Sequence, residues 1–432
     1  MTSVTWRRAS ETGFAQSQQD SVWTEVNAWL ALLPTLFITV GGWIQTGSGP
    51  IAFRFTAMAE DSFARRITRL GCSLLILLLL STRAREIASV CRKAHLFMVL
   101  PTLAFVSTVW SQNPRHTLVD SLNLTLTTLF AVYLYVRYPG ERLVSFLTFA
   151  AAISLLMCAF AVVFFPSVGI DSFQEDAWRG VFGQRNNCAV ICTFFFVLGL
   201  HYHARILTEY ILRGTVLFLA AVFIVMSGSR TGWLLTALAL GLTYGLRLIH
   251  RMRSLDRIVF LMAVTVLSAI LIFVVATHFN QMLDLMDKDP TMTQRTVIWA
   301  EALPSIARHP LIGYGYSSFW MGLNGASMQS VLVTGWMEGQ AQDGYLDVLL
   351  QLGLLGLVPL AWMFARGFIQ AGSALQTKAT VSAVQLATVL LVLSLVQNIG
   401  ETSFLLPLAI QWFYALLAFL ILAFSSKHAE VN

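Results

Sequence analysis

The sequence predicts an all-α polytopic membrane protein with about 12 transmembrane helices. Of its 432 residues, 56% are hydrophobic and only 12% are charged, whereas a soluble domain carries about 25% charged residues. Apolar runs follow one another along the chain, and each is long enough for the roughly 20 helical residues that cross a bilayer. The runs are solid, as from Leu74 to Leu80, and lack the alternation of a β-barrel, so we expect helices.

The apolar runs give the order of the predicted spans. They lie at residues 27–46, 67–82, 94–110, 117–136, 143–165, 186–203, 210–227, 230–249, 257–277, 344–365, 380–399 and 403–424. The first 26 residues contain Arg7 and Arg8 but no apolar core, so no cleavable signal is expected and the first span should direct insertion.

The basic residues predict the orientation of these spans. With the N-terminus inside, the inner loops carry 14 arginines and lysines and the short outer loops carry 8, a bias that favours both termini on the cytoplasmic side of the inner membrane. The predicted organisation is a cytoplasmic segment (1–26), spans one to nine (27–277), a large periplasmic loop (278–343), spans ten to twelve (344–424) and a cytoplasmic tail (425–432). A loop of that length is expected to be functional or partly folded.

The charge and cysteine content exclude two other classes. The net charge of +6 comes from residues scattered over short loops, so it indicates topology rather than binding to nucleic acid. The five cysteines lie in or beside apolar runs, which makes a disulfide framework unexpected. Cys188 and Cys192 are one helical turn apart but have no neighbouring histidine or carboxylate, so we interpret them as small apolar residues rather than metal ligands.

Arginines at the predicted outer boundary are the first candidate site residues, because charged groups at membrane level are costly and usually functional. Arg185 and Asn186 follow a glycine-rich segment and begin a span, where helix dipole and guanidinium suit a phosphate. Arg230 lies in the short turn Ser227–Trp233 and Arg295 precedes an amphipathic helix. The alternatives are a snorkelling side chain for Arg230 and a solvated loop residue for Arg295.

Carboxylates and aromatic residues near the same boundary complete the candidate set. Glu338 and Asp343 stand at the entry to the tenth predicted span, where either is a candidate general base or an ordinary helix cap. Glu401 is an outer carboxylate able to orient an arginine. Aromatic residues offer flat faces for sugars, with membrane-interface anchoring as the alternative; they are Trp320, Trp336 and Tyr345.

These pieces, in this order, resemble the O-antigen ligase and polymerase superfamily, and within it exopolysaccharide polymerases of the ExoQ type. The motifs that carry the resemblance are Trp-Ser-Gln-Asn-Pro at 110–114, the glycine and asparagine element at 180–187, Ser-Gly-Ser-Arg-Thr-Gly at 227–232, Arg-Thr-Val-Ile-Trp at 295–299, His-Pro-Leu-Ile-Gly-Tyr-Gly at 309–315 and the Gly-Tyr-Leu that follows Asp343.

The resemblance implies a C-type glycosyltransferase architecture that uses polyprenyl-diphosphate-linked sugars and no essential metal or other cofactor. Arg230 and Arg295 fall on the essential arginines of the family, and Arg185 falls where relatives often carry lysine. Undecaprenyl-diphosphate-linked oligosaccharide in the membrane lipid is the implied substrate, and a chain-length co-polymerase and export proteins are the implied partners. Gln342 replaces the family histidine, which disfavours a lipid A ligase and leaves activation of the acceptor to Asp343, Glu338 or positioning alone.

The sequence is also compatible with two other classes of protein, a transporter and a non-catalytic assembly partner. A transporter or flippase of lipid-linked sugars should carry charged or broken-helix sites near the middle of the membrane, whereas the charges of this chain gather at one face. A non-catalytic assembly partner should tolerate lysine at positions 230 and 295, which the geometry of a guanidinium argues against. The sequence therefore predicts a repeat-unit polymerase acting on the periplasmic face.

Overall fold

The computed structural model describes residues 26, 29–39, 63–171, 176–252, 295–335, 339–375 and 381–425. Apart from one hairpin of two-residue strands, β1 (Ile170–Asp171) and β2 (Ala177–Trp178), the regular structure of the described chain is helical. The helices are α1 (Trp29–Thr39), α2 (Phe63–Thr82), α3 (Ala84–Lys93), α4 (Leu96–Val106), α5 (Pro114–Arg137), α6 (Glu141–Phe164), α7 (Arg185–His201), α8 (Leu207–Met226), α9 (Arg230–Arg251), α10 (Arg295–Arg308), α11 (Met328–Thr334), α12 (Gly344–Ala374), α13 (Val381–Gln397) and α14 (Ile410–Ser425).

Five described helices are long and apolar enough to cross a membrane: α5, α6, α8, α9 and α12. A sixth is formed if Ile67–Thr82 and Ala84–Lys93, bent by 87°, count as one span, and α1, α4, α13 and α14 are shorter apolar helices. The predicted all-α polytopic class is therefore confirmed. The count of 12 stays a prediction, as do the domain boundaries, because the predicted span 257–277 lies outside the described residues.

Most predicted spans agree with observed helices, but the last one begins later than predicted. Residues 403–409 form a loop, and α14 starts at Ile410. The cause is Asn398, whose Oδ1 accepts the backbone N–H groups of Ser403 at 2.8 Å and Phe404 at 3.0 Å. These hydrogen bonds hold Ser403 and Phe404 in the loop and compete there with helical hydrogen bonding, so hydropathy alone misplaced the boundary.

Helix α12 contains a break that the sequence analysis did not predict. Gly353 has φ of 60°, a conformation that favours glycine, and a Cβ built there would lie 2.4 Å from the carbonyl carbon of Leu311. The segment His309–Gly315 occupies the break. Four hydrogen bonds join the two backbones: Leu354 N to Pro310 O (2.9 Å), Leu355 N to Leu311 O (3.0 Å), Tyr314 N to Leu350 O (2.8 Å) and Gly315 N to Gln351 O (2.9 Å).

This arrangement joins part of the predicted large loop to α12, with residues 309–312 exposed and residues 313–315 buried. Gly353 is nine residues from the start of α12, which corresponds to about 14 Å at 1.5 Å per residue. Non-helical backbone within a membrane span must have its polar groups paired, and the four hydrogen bonds pair them here. Residues 309–315 therefore anchor the large loop to α12 at its break.

Close packing of small residues sets the positions of α7 and α9. A Cβ on Gly232 of α9 would come within 2.3 Å of the Ala189 Cβ on α7, and the hydroxyls of Thr193 and Thr236 lie 2.8 Å apart. Small residues at a helix contact let backbones approach closely in membrane proteins. The beginnings of α7 and α9 are consequently held side by side.

Candidate active site

Polar segments from distant parts of the chain meet at one end of the helix bundle. The N–H of Gly344, at the start of α12, donates to the carbonyl oxygen of Asn398 beyond the end of α13 at 2.8 Å. The contact is tight, since a Cβ on Gly344 would lie within 2.0 Å of Asn398 Oδ1. The beginnings of α7, α9, α10 and α12 and the loop after α13 carry the candidate residues.

Arg295 and Asn186 both contact Glu401 at this end of the bundle, and the three residues together are called the Arg295 centre. Arg295 Nη2 lies 3.0 Å from Glu401 Oε1, and the Asn186 amide donates to the same oxygen at 3.3 Å. The side chains of Arg295 and Glu401 are 20% and 13% exposed, so the pair is largely shielded from solvent but reachable. A charge-assisted bond of this kind orients the guanidinium.

The turn that carries Arg230 faces the start of α7. Gly228 has φ of 61°, and its Cβ position would lie 3.8 Å from Arg185 Nη1. The Ser229 hydroxyl caps α9 by accepting the Gly232 N–H at 3.3 Å, a common helix-start motif. Arg230 is the first residue of that helix and is exposed, so two guanidinium groups stand at adjacent helix N-termini, where the helix dipoles favour an anion.

Asp343 caps α12 with its side chain. Its Oδ1 accepts the N–H groups of Tyr345 and Leu346, both at 2.9 Å. Burial raises the pKa of Asp343, while these two hydrogen bonds and the positive charge of Arg295 act to lower it. The positive charge of Arg295 thus acts on the Asp343 carboxyl group. The role of Asp343 as a base stays a proposal. Glu338 and Trp336 lie outside the described residues.

The aromatic candidates have structural partners. The Tyr345 hydroxyl donates to the Leu395 carbonyl at 2.9 Å, and its ring packs edge-on against Phe404. Trp320 packs against Phe319, and its indole N–H donates to Asp347 Oδ1 at 2.7 Å. These contacts fix both rings, and any contact with sugar remains a prediction.

Asp347 is a residue that sequence reasoning missed. It is 1% exposed and its Oδ2 accepts the Ala341 N–H at 3.0 Å and the Thr402 hydroxyl at 2.5 Å. Together with the Trp320 contact, it connects the large loop, α12 and the loop that carries Glu401. The available signal was a carboxylate four residues after Asp343 inside an apolar span, because such residues are rare and are retained for a reason.

Glu401 allows a test that separates stability from orientation of Arg295. Burial raises the pKa of Glu401, although Arg295 and the Asn186 amide lower it. A carboxyl group with a raised folded-state pKa stabilises the fold as the pH falls through that pKa, and this stability is lost again as the pH rises through it. Glutamine imitates the protonated carboxyl. Glu401→Gln should therefore not lower the unfolding temperature at pH 7, and it should abolish the extra stability that the wild type gains at acid pH.

The same Glu401→Gln substitution should slow the reaction about tenfold or more, because a misplaced guanidinium is costly to catalysis. Thermal unfolding in detergent at pH 7 and pH 5, together with the rate of turnover, would measure both effects. Glu86→Gln, which breaks the exposed Arg83–Glu86 pair at 2.9 Å, is the matched control. A lower unfolding temperature at pH 7 with unchanged turnover would contradict the orienting role.

Comparison with known proteins agrees with the motif analysis. Residues 215–361 match the family model described as O-Antigen ligase, a stretch that includes Arg230, Arg295 and Asp343. The chain is also 28% identical over 157 residues to the exopolysaccharide production protein ExoQ of Rhizobium meliloti (strain 1021). That match covers 35% of this chain and only 36% of the relative. The resemblance to an ExoQ-like member of the O-antigen ligase and polymerase superfamily is confirmed.

Proposed function

We propose that the protein joins undecaprenyl-diphosphate-linked oligosaccharide repeat units into an exopolysaccharide on the periplasmic face of the inner membrane. The observation that carries the proposal is the convergence of Arg185, Arg230 and the Arg295 centre at one end of the bundle. Arginines at helix N-termini suit a diphosphate. The similarity to the O-antigen ligase family and to an exopolysaccharide production protein supports the same class of reaction.

The reaction is a glycosyl transfer with a diphosphate leaving group. The acceptor hydroxyl oxygen attacks the anomeric carbon of the growing chain, and the bond from that carbon to the diphosphate oxygen breaks. The leaving diphosphate keeps the electron pair, and Arg230 and Arg295, with Arg185, stabilise its developing charge. Asp343, at the start of α12, or Glu338 accepts the acceptor proton. The balance requires no metal and no redox cofactor.

The polymerase explains the chain better than a lipid A ligase does. Gln342 stands where the ligases of the superfamily carry a histidine, and a neutral amide takes no proton at pH 7. Its φ is 57°, so it forms part of a tight turn immediately before the α12 cap. In a polymerase both donor and acceptor are lipid-linked, and their shared anchoring in the membrane supplies part of the positioning.

The decisive experiment uses the purified full chain in detergent with synthetic polyprenyl-diphosphate-linked repeat units of the host polysaccharide. A product ladder spaced by one repeat unit, unaffected by a metal chelator, is the expected result. A single transfer to lipid A core would indicate a ligase instead. Absence of a ladder, together with movement of the same lipid across the membrane of sealed vesicles, would indicate a transporter and not an enzyme.

A further inference from the structure

A cleft rich in amide side chains opens beside the Arg295 centre. It lies between the end of α1, the start of α7, the end of α13 and the start of α14, and Glu401 forms part of its wall. The polar residues that line this amide cleft include Gln184, Asn187, Gln340, Gln397, Ser403 and Gln411. Such a set is unusual at the boundary of apolar helices, because unpaired polar groups there are costly.

Gln397 is the most informative of these residues. It is 1% exposed, and its Nε2 donates to the Ser403 hydroxyl at 2.7 Å. Its Oε1 is buried and has no hydrogen-bond partner in the part of the chain that the structure describes. A buried acceptor left unpaired costs about 1–3 kcal/mol. The oxygen has almost no accessible surface, so a ligand hydroxyl reaches it once the Gln397 side chain turns toward the cleft, and the hydrogen bond then removes the cost.

Gln411 and Asn187, two other lining residues of the cleft, hold each other in place. The Gln411 amide donates to Asn187 Oδ1 at 2.6 Å, which joins the starts of α14 and α7. Amide groups both donate and accept hydrogen bonds, as sugar hydroxyls do. The partly exposed side chain of Leu406 shares the lining and offers apolar surface for the C–H face of a sugar ring.

The charge of the cleft selects among sugars. Glu401 is the one charged residue among its described lining residues, and its charge is paired with Arg295 at 3.0 Å. A uronate or a phosphorylated sugar would meet amides, hydroxyls and a carboxylate rather than a cation. An uncharged, hydroxylated ring fits this lining without an unpaired charge.

We infer that the amide cleft is the subsite for an uncharged sugar residue of the lipid-linked substrate, with Gln397 as a specificity-determining residue. This inference rests on the proposed function, because it places a sugar next to the arginines that hold the diphosphate. Gln397 binds a hydroxyl of the ring through its buried acceptor. Gln411 and Asn187 form another part of the wall, and the bond that breaks lies toward the Arg295 centre.

Binding of sugar without turnover tests this inference separately from polymerisation. The probe is the free repeat-unit oligosaccharide released by acid hydrolysis of the host polysaccharide, added to the purified full chain in a detergent without a sugar head group. Saturation-transfer NMR reports which ring protons contact protein. We expect transfer to an uncharged residue in the wild type and a loss of at least threefold in Gln397→Leu and Gln411→Leu.

Gln370→Leu is the matched control, because Gln370 lies near the far end of α12 and the substitution makes the same change from amide to isobutyl. It should bind the oligosaccharide as the wild type does. Equal transfer in all four proteins, no transfer in the wild type, or transfer confined to a charged sugar would each overturn the subsite. A wild-type product ladder alongside any of these results would leave the proposed polymerase intact, so the two failures are distinguishable.

Discussion

Replacing Arg295 by alanine is expected to lower the rate of repeat-unit joining by about 100- to 1,000-fold, the usual cost of losing one group that stabilises developing negative charge. The side chain is only 20% exposed and points its guanidinium at Glu401, so its position is set before substrate arrives. Its electrostatic effect is strong because water is largely excluded around it. The measurement is the initial rate of ladder formation with purified protein.

Arg295→Ala also removes the counter-ion of Glu401, and this second effect must be separated from the first. The double variant Arg295→Ala with Glu401→Gln removes the unpaired carboxylate. If the loss came from a destabilised site, the double variant would recover activity. We expect it to remain as inactive as Arg295→Ala, because in both proteins the diphosphate lacks its guanidinium.

Two further variants sharpen the prediction. Arg295→Lys keeps a positive charge but loses the planar fork that contacts a carboxylate and a phosphate at once, so its rate should lie between those of the wild type and Arg295→Ala. Arg308→Ala, at the exposed far end of the same helix, is the matched control and should retain full activity. Equal rates for Arg295→Ala and Arg308→Ala would remove Arg295 from the mechanism.

The sequence was most informative where local patterning decides structure. Solid apolar runs predicted α5, α6 and α7 to within a few residues, because hydropathy over about 20 residues reflects the bilayer itself. Motifs at the ends of spans placed Arg185, Arg230 and Asp343 at helix starts, since caps and helix dipoles depend on neighbouring residues.

What the sequence did not predict depends on contacts between distant residues. Arg295 and Glu401 are 106 positions apart, and nothing local to either residue specifies the partner. The break at Gly353 is equally non-local, because glycine inside an apolar span is also compatible with an unbroken helix. The hydrogen bonds from Leu354 and Leu355 to the segment His309–Gly315 make the non-helical conformation of Gly353 favourable.

Asp347 is expected to be as important to the architecture of this end as Arg295 is to its chemistry. Its carboxylate accepts three hydrogen bonds, from Trp320 Nε1, the Ala341 N–H and the Thr402 hydroxyl. Alanine at position 347 leaves these donors without their acceptor in a buried place, at a cost of about 1–3 kcal/mol each. Asp347→Ala should therefore unfold several degrees below the wild type and expose the large loop to protease.

A graded series makes this prediction specific to the three contacts. Asp347→Asn keeps an acceptor for Trp320 but turns an amide donor toward the Ala341 N–H, whereas Thr402→Val removes one donor at nearly constant volume. The unfolding temperature should fall in the order wild type, Thr402→Val, Asp347→Asn, Asp347→Ala. Because Thr402 is adjacent to Glu401, joining rates should fall in the same order as the loop loses its anchor. If Asp347→Ala proved no less stable than Thr402→Val, the carboxylate would not be the junction of the three segments.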